Sequence, residues 1–229
     1  MRPIMDGQRS CAKSVANPAA RNDDGAMTQT IEFILDLAAP NGYLAWYPLK
    51  DIAARTGAQL VVTPVFLGGM HKLTGNAPPM MRDADVKGKV PYAALEFHRF
   101  LDRHAMTKFR MHPALPFNSI LLQRILVAAR EQAEMQALVD LFQPAAWEEN
   151  IDCGDVQLVG QLLEDGGFDA ERLLSATQDA AVKQVLADNT EQAVERGAFG
   201  IPTFFVGDEM WFGKERLGQL EDYLTGGKP

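Results

Sequence analysis

The sequence predicts a two-lobed α/β chain in which a long helical block interrupts a small sheet. Three observations carry that prediction. An apolar, β-prone run at 30–36 feeds a loop and then a helix. About a hundred residues in the middle show helical rather than alternating periodicity. The chain then closes on two short apolar runs joined by a turn, followed by a last helix. A β-α-β start, a helical block, a hairpin and a helix together make an α/β fold with a helical lobe.

Taken in order, the first strand reads TIEFILD over 30–36, and the stretch 37–46 (LAAPNGYLAW) reads as a loop turning into a helix. Pro40 suits the first helical turn, where a missing N–H costs nothing. A second strand is predicted over 59–63. A strand that delivers a loop onto a helix N-terminus makes a place favourable to a thiolate or other anion.

The middle of the chain is patterned as helices. Residues 91–104 place Leu95, Phe97, Phe100 and Leu101 close to one stripe. Asn118 and Ser119 precede a stripe of Ile120, Leu121, Ile125, Leu126 and Ala129, so Ser119 reads as a cap of a helix reaching 130. Further helices are expected over 131–142, over 155–164 with a stop at Gly166 and Gly167, from Asp169 onward, and over 177–196. No internal repeat appears. The third strand is predicted at 203–206, so the all-helical insertion lies between the second and third strands. The hairpin is entered through Ile201-Pro202 and turns at Gly207-Asp208. A proline at the mouth of a buried strand removes a ladder donor, which fits either an edge position or a cis bond.

Composition bounds the function. The chain has 229 residues, 47% of them hydrophobic, enough to bury a core and too many for a disordered segment. Its net charge of −8 argues against nucleic acid as the main partner, which needs a basic footprint. No run reaches membrane-span length. The first 27 residues have no periodicity and no apolar signal core. They read as a flexible, silent extension, with Met27 as a natural start. Cys11 and Cys153 stand in no metal or redox spacing and read as free thiols of a reducing cytoplasm. His98 and His104 are six apart, not the three or four that put two ligands on one helix face, so no metal site is expected. Trp46, Trp147 and Trp211 read as packing residues, with Trp211 beside the expected cleft. Adjacent Glu148 and Glu149 diverge on a helix, against shared acid–base work.

Gly200-Ile201-Pro202-Thr203 before a hairpin, with Lys214-Glu215-Arg216-Leu217 opening a last helix, resembles the C-terminal half of a thioredoxin-like fold. With Pro40 at the first helix, VFLGGM at 65–70, TGNAPP at 74–79, and Lys87 and Lys89 before Tyr92, the chain resembles the 2-hydroxychromene-2-carboxylate isomerase family. That family is related to kappa-class glutathione transferases and to disulfide oxidoreductases. The resemblance spans roughly 30–224 and implies a thioredoxin-like domain from 28–66 and 194–226, with a helical insertion domain at 67–193. It further implies a cytoplasmic homodimer that uses glutathione as cofactor in aromatic hydrocarbon catabolism, by thiolate addition to and elimination from a small aromatic substrate. By family position, Asn76, Ile201, Lys214 and Glu215 hold the tripeptide. Ile201 acts through its backbone ahead of Pro202, Pro40 and Asn41 form the loop under the sulfur, and Lys87 belongs to a basic segment.

Two departures stand out. The family carries Ser-Pro at the first helix, and this chain carries Ala39-Pro40. No catalytic residue is therefore assigned at that position. A hydroxyl donating to a thiolate is worth roughly 1.5–3 kcal/mol, about one to two decades in rate. Asn41 or a bound water could supply a substitute donor. Disulfide exchange at this site is excluded, because 39–42 reads APNG and holds no sulfur. The second departure is Lys214-Glu215 in place of the family's Ser/Asn-Asp. Two other readings stay open beside the isomerase: a glutathione-binding protein without turnover, and a thioredoxin-fold scaffold that binds an extended peptide.

Overall fold

The computed structural model describes residues 28–228. The expectations for the extension, including Cys11 and Met27, lie outside the described residues. Four strands form one mixed sheet: β1 (Thr30–Leu35), β2 (Gln59–Pro64), β3 (Thr203–Val206) and β4 (Glu209–Phe212), in the order β2-β1-β3-β4. β1 runs parallel to β2, with Phe33 opposite Val62, and antiparallel to β3, with Phe33 opposite Phe204. The parallel pair requires a crossover, which α1 (Pro40–Thr56) provides.

Alternation along the strands divides the sheet into two apolar faces. Ile31, Phe33, Leu35, Leu60, Val62, Phe204, Val206 and Trp211 join the larger cluster with α1 and the helical lobe. There the Phe33 ring lies between Trp46, 5.9 Å away centroid to centroid, and Phe204 at 5.4 Å. Ile34 and Phe205 point the other way, into a smaller cluster with Val65, Met70, Ala193 and Ala198.

Between β2 and β3 the insertion comprises eight helices among the described residues: α2 (Leu67–Thr74), α3 (Pro79–Arg82), α4 (Lys89–Arg103), α5 (Ile120–Val127), α6 (Gln132–Trp147), α7 (Val156–Asp165), α8 (Ala170–Ala176) and α9 (Ala180–Glu195). A 3-10 turn at Lys214–Arg216 leads into α10 (Leu217–Leu224). Asp155 caps α7 by accepting from the Gln157 and Leu158 amides, and Asp169 caps α8 through the Arg172 amide. No described helix is long and apolar enough to cross a membrane.

Three expectations change. α2 and α3 were not predicted, because Gly68 and Gly69 depress helical propensity. Tertiary contact overrides it: α2 lies against α9, with the Phe66 N–H donating to Thr190 Oγ1 at 2.9 Å. The helix expected to run to 130 stops at Val127, and the next begins at Gln132 and passes through Pro144. Trp211 sits in the larger cluster with its ring 5.0 Å from Tyr223, on the side of the sheet away from the smaller cluster.

The exposed edge of β2 is covered by side chains of α6. Gln132 accepts from the Val62 N–H at 2.8 Å and donates back to the Val62 carbonyl at 3.1 Å, while Gln136 donates to the Leu60 carbonyl at 2.8 Å. A glutamine amide thus stands in for a neighbouring strand, which leaves this edge poorly suited to pairing with another chain.

Candidate active site

The site begins where β1 ends. Asp36 lies 1% exposed beneath the loop, and its carboxylate accepts from the Ala38 N–H at 2.9 Å and the Leu67 N–H at 2.7 Å. The Ser119 hydroxyl donates to the same carboxylate. Burial pushes the Asp36 carboxyl above its ordinary value, while Ser119, Leu67 and Ala38 pull it down by bonding the charged form. Ser119 does not cap α5 as its position predicted, since its side chain makes no cap bond. The hydroxyl goes to Asp36 instead, a partner 83 residues earlier in the chain (119 − 36).

Loop residues 37–39 are held at every backbone donor. The Leu37 N–H donates to Gln123 Oε1 at 3.2 Å, and the Leu37 carbonyl accepts from Trp147 Nε1 at 3.0 Å. The Ala39 N–H donates to the Asp36 carbonyl at 3.0 Å. Pro40 then opens α1, which has neither a side-chain cap nor an acidic residue in its first turn. The first backbone donor without a partner among the described residues is the Asn41 N–H. The Asn41 side-chain oxygen is also buried and unpaired. The positive pole of this 17-residue helix therefore has, among the described residues, neither a side-chain cap nor an acidic residue in its first turn.

Opposite lies the hairpin entry. The Ile201–Pro202 peptide is cis. Ile201 and Ala39 pack in the same small cluster, 7% and 5% exposed. Gly42 sets the closeness of approach. A Cβ there would lie 3.0 Å from Leu35 Cδ1 and 3.5 Å from Ile201 Cγ2, so the first turn of α1 comes up against the hairpin entry. The Pro202 carbonyl accepts from the Gly213 N–H at 2.9 Å. The Ile201 N–H and carbonyl have no partner among the described residues. A backbone pair left open beside a strand can add an extended peptide.

Asn76 follows α2 and donates to the Phe199 carbonyl at 2.7 Å, so it braces the segment leading to Ile201. Phe199 and Phe212 form a half-exposed aromatic pair at the rim, 4.4 Å between centroids. Lys214 is 4% exposed; its ammonium meets Glu215 and lies 5.2 Å from the Phe100 ring, so α4 covers it. Glu215 is half exposed. Lys87 is exposed before α4 without a partner among the described residues, whereas Lys89 pairs with Asp83 at 2.8 Å. Glu148 accepts from the Tyr43 hydroxyl at 2.9 Å.

Sequence reasoning missed Asp36, Gln123 and Trp147 as site-forming residues. The one local signal was a charged residue, Asp36, closing an apolar run just before the loop. Gln123, in an apolar helix stripe, carried no sign of its target.

Comparison with known proteins agrees with this fold. The model of the DSBA-like thioredoxin domain matches residues 30–225. A 2-hydroxychromene-2-carboxylate isomerase from Sphingobium xenophagum is 32% identical over 198 residues, covering 86% of this chain and 99% of that protein. Human glutathione S-transferase kappa 1 is 28% identical, covering 89% of this chain and 94% of its own. A solved structure of 2-hydroxychromene-2-carboxylate isomerase superposes with a TM-score of 0.75 at 28% identity, over 86% of this chain and 94% of that one. The chain belongs to the 2-hydroxychromene-2-carboxylate isomerase family, within the DSBA-like thioredoxin domains.

Proposed function

We propose that this protein is a glutathione-dependent isomerase of the 2-hydroxychromene-2-carboxylate isomerase type, acting on a small aromatic catabolite. The observation that carries the reading is the unpaired Ile201 backbone set against an α1 N-terminus that offers a free Asn41 N–H. A tripeptide with a thiol needs both features: an extended partner for its backbone and a positive pole for its sulfur. When bound, glutathione would supply a nucleophilic thiolate for reversible addition to a conjugated enone.

The residues present fit that group. Ile201 would take the peptide through its N–H and carbonyl. Asn41 would donate its N–H, and its side-chain amide, once turned to present nitrogen, would add a second donor. The helix dipole lowers the pKa of a thiol placed at α1 and so holds it ionised near neutral pH. Glu215 would meet the tripeptide's ammonium, and Lys87 a carboxylate. Lys214 is covered by Phe97 and Phe100, so its part would be to fix Glu215 rather than to touch the ligand.

Ala39 favours a second reading, a glutathione-binding protein without turnover, since the methyl group can donate nothing. One experiment separates the two. Calorimetric titration with glutathione is run beside a glutathione-dependent isomerisation assay on 2-hydroxychromene-2-carboxylate. Binding with turnover supports the isomerase, and binding without turnover supports the second reading. Absence of binding rejects both and leaves the peptide-binding scaffold.

A further inference from the structure

Gln123 is fully buried in α5, and every hydrogen-bonding group of its amide that the loop could use is engaged. Its Nε2 donates to the Leu35 and Val65 carbonyls, both at 2.8 Å, and its Oε1 accepts from the Leu37 N–H. The amide orientation follows from these partners, because a flip would set the oxygen against two carbonyls. One side chain of the insertion thereby ties together the end of β1, the exit of β2 and the first residue of the site loop. Trp147 Nε1, from α6, holds the other side of Leu37. Ser119, from the residue before α5, holds Asp36, which in turn holds Ala38 and Leu67. Three side chains from the helical lobe thus converge on Asp36 and Leu37, and Asp36 passes the hold on to Ala38, just ahead of Ala39.

We propose that Gln123 and Trp147 are positioning residues: the helical insertion, through them, sets the pose of the α1 N-terminus toward the sulfur. The inference rests on the glutathione reading above. Its physical basis is that the open donor, the Asn41 N–H, follows directly on the loop tied at 36 to 39, while Pro40 contributes no N–H and α1 has no side-chain cap. Release of Leu37 lets that end of the helix shift, and a displacement of about 1 Å can cost on the order of a hundredfold in rate. A merely structural role would lower stability without moving the sulfur's ionisation.

The experiment uses Gln123→Met, which keeps length and apolar bulk, and Trp147→Phe, which removes one donor and keeps most of the ring. Gln136→Leu is the control, because it deletes a similar side-chain bond to the Leu60 carbonyl at the far end of β2. Four quantities are read: melting temperature, amide exchange at Leu37 and Ala38, turnover at saturating glutathione, and the pKa of the bound thiol from thiolate absorbance.

For Gln123→Met, turnover should fall about ten- to a hundredfold while the glutathione Kd changes less than about threefold. The bound thiol's pKa should rise, and the Leu37 and Ala38 amides should exchange faster. Trp147→Phe should move each in the same direction by less, and it decides the matter if Gln123→Met does not fold. Gln136→Leu should lower the melting temperature alone. Unchanged turnover and thiol pKa in a folded Gln123→Met or Trp147→Phe overturn the proposal, as does an equal loss in Gln136→Leu. If the unmutated protein binds no glutathione, the reading beneath falls and this role with it. That result is distinct from glutathione binding that the variants leave untouched.

Discussion

The two faces of the sheet are built differently. The larger face stacks Trp46, Phe33 and Phe204 in a row and continues into the buried Trp147 and Phe142 of the helical lobe. The smaller face has eight buried residues, of which Ala39, Ala193 and Ala198 are alanines, and two of the eight, Ala39 and Ile201, belong to the candidate site. The larger face derives its stability from aromatic bulk. On the smaller face, small side chains let the first turn of α1 come up against the hairpin entry. The bulk of the aromatic packing thus lies on one side of a four-stranded sheet and the Ala39–Ile201 approach on the other, joined through α1 and Leu37, and substitutions should separate them.

The largest expected effect is on the larger face. Phe33→Ala removes the central ring of the stack and should destabilise the protein by about 3–5 kcal/mol. Denaturant unfolding measures that loss. Glutathione affinity of the folded fraction should stay near that of the unmutated protein, because the contrast puts the site elsewhere. A selective loss of binding at unchanged stability would break the comparison.

Next in size is Ile201→Ala. Truncating a side chain in the smaller cluster should cost roughly 2–3 kcal/mol, toward the low end for such changes because the cluster is small and three of its members are alanines. On the proposed reading its ligand contacts run through the backbone, so the glutathione Kd should move by no more than about threefold. Calorimetry on the variant checks this. A hundredfold loss would mean that the side chain itself forms the ligand surface.

Ala39→Ser tests the other half of the site. If the pocket lacks only the sulfur's donor, turnover should rise about ten- to a hundredfold, following the strength of a hydrogen bond to a charged group. The bound thiol's pKa should fall as the thiolate gains a partner, with little change in affinity. Turnover that is already high in the unmutated protein and unaltered by serine would point to Asn41 as the replacement donor.

How much of this was legible in the sequence follows from the range of each interaction. Strand alternation, the Gly-Ile-Pro-Thr hairpin entry and the helical block are local patterns, and all were readable. The expectation that Ile201 and the loop at Pro40 and Asn41 serve one site came through resemblance and not through spacing, and Ala39 and Ile201 do pack in one cluster. The loop clamp was not readable. Gln123 meets Leu37, 86 residues away, and Trp147 meets it from 110 residues away. Ser119 shows why such contacts mislead. A serine before an apolar helix reads as a cap, and nothing local reveals that its hydroxyl is claimed by a buried carboxylate. Helix α2 was hidden for a related reason: Gly68 and Gly69 lower its propensity, and only the Phe66 ring packed beside them shows why side chains are absent there.

The smallest expected effect concerns Cys153, the one cysteine among the described residues. Its side chain is 3% exposed, and its thiol donates to the Ile151 carbonyl at 3.3 Å. Burial pushes the thiol up to about 12, with Asp152 adding to the rise. At pH 8 the folded thiol is therefore almost wholly protonated and shielded, and iodoacetamide should label it far more slowly than in denaturant, as followed on the Cys153 peptide. Linkage gives the sign of the pH effect. The folded pKa lies above the ordinary thiol value of 9.0, so the stability tied to this group is complete below that value. As pH rises further, the unfolded thiol ionises while the folded one does not, and stability declines across the interval up to about 12. Cys153→Ala should flatten that decline without altering glutathione binding or turnover. Native labelling at the unfolded rate would instead mark Cys153 as an accessible and reactive thiol, against its burial.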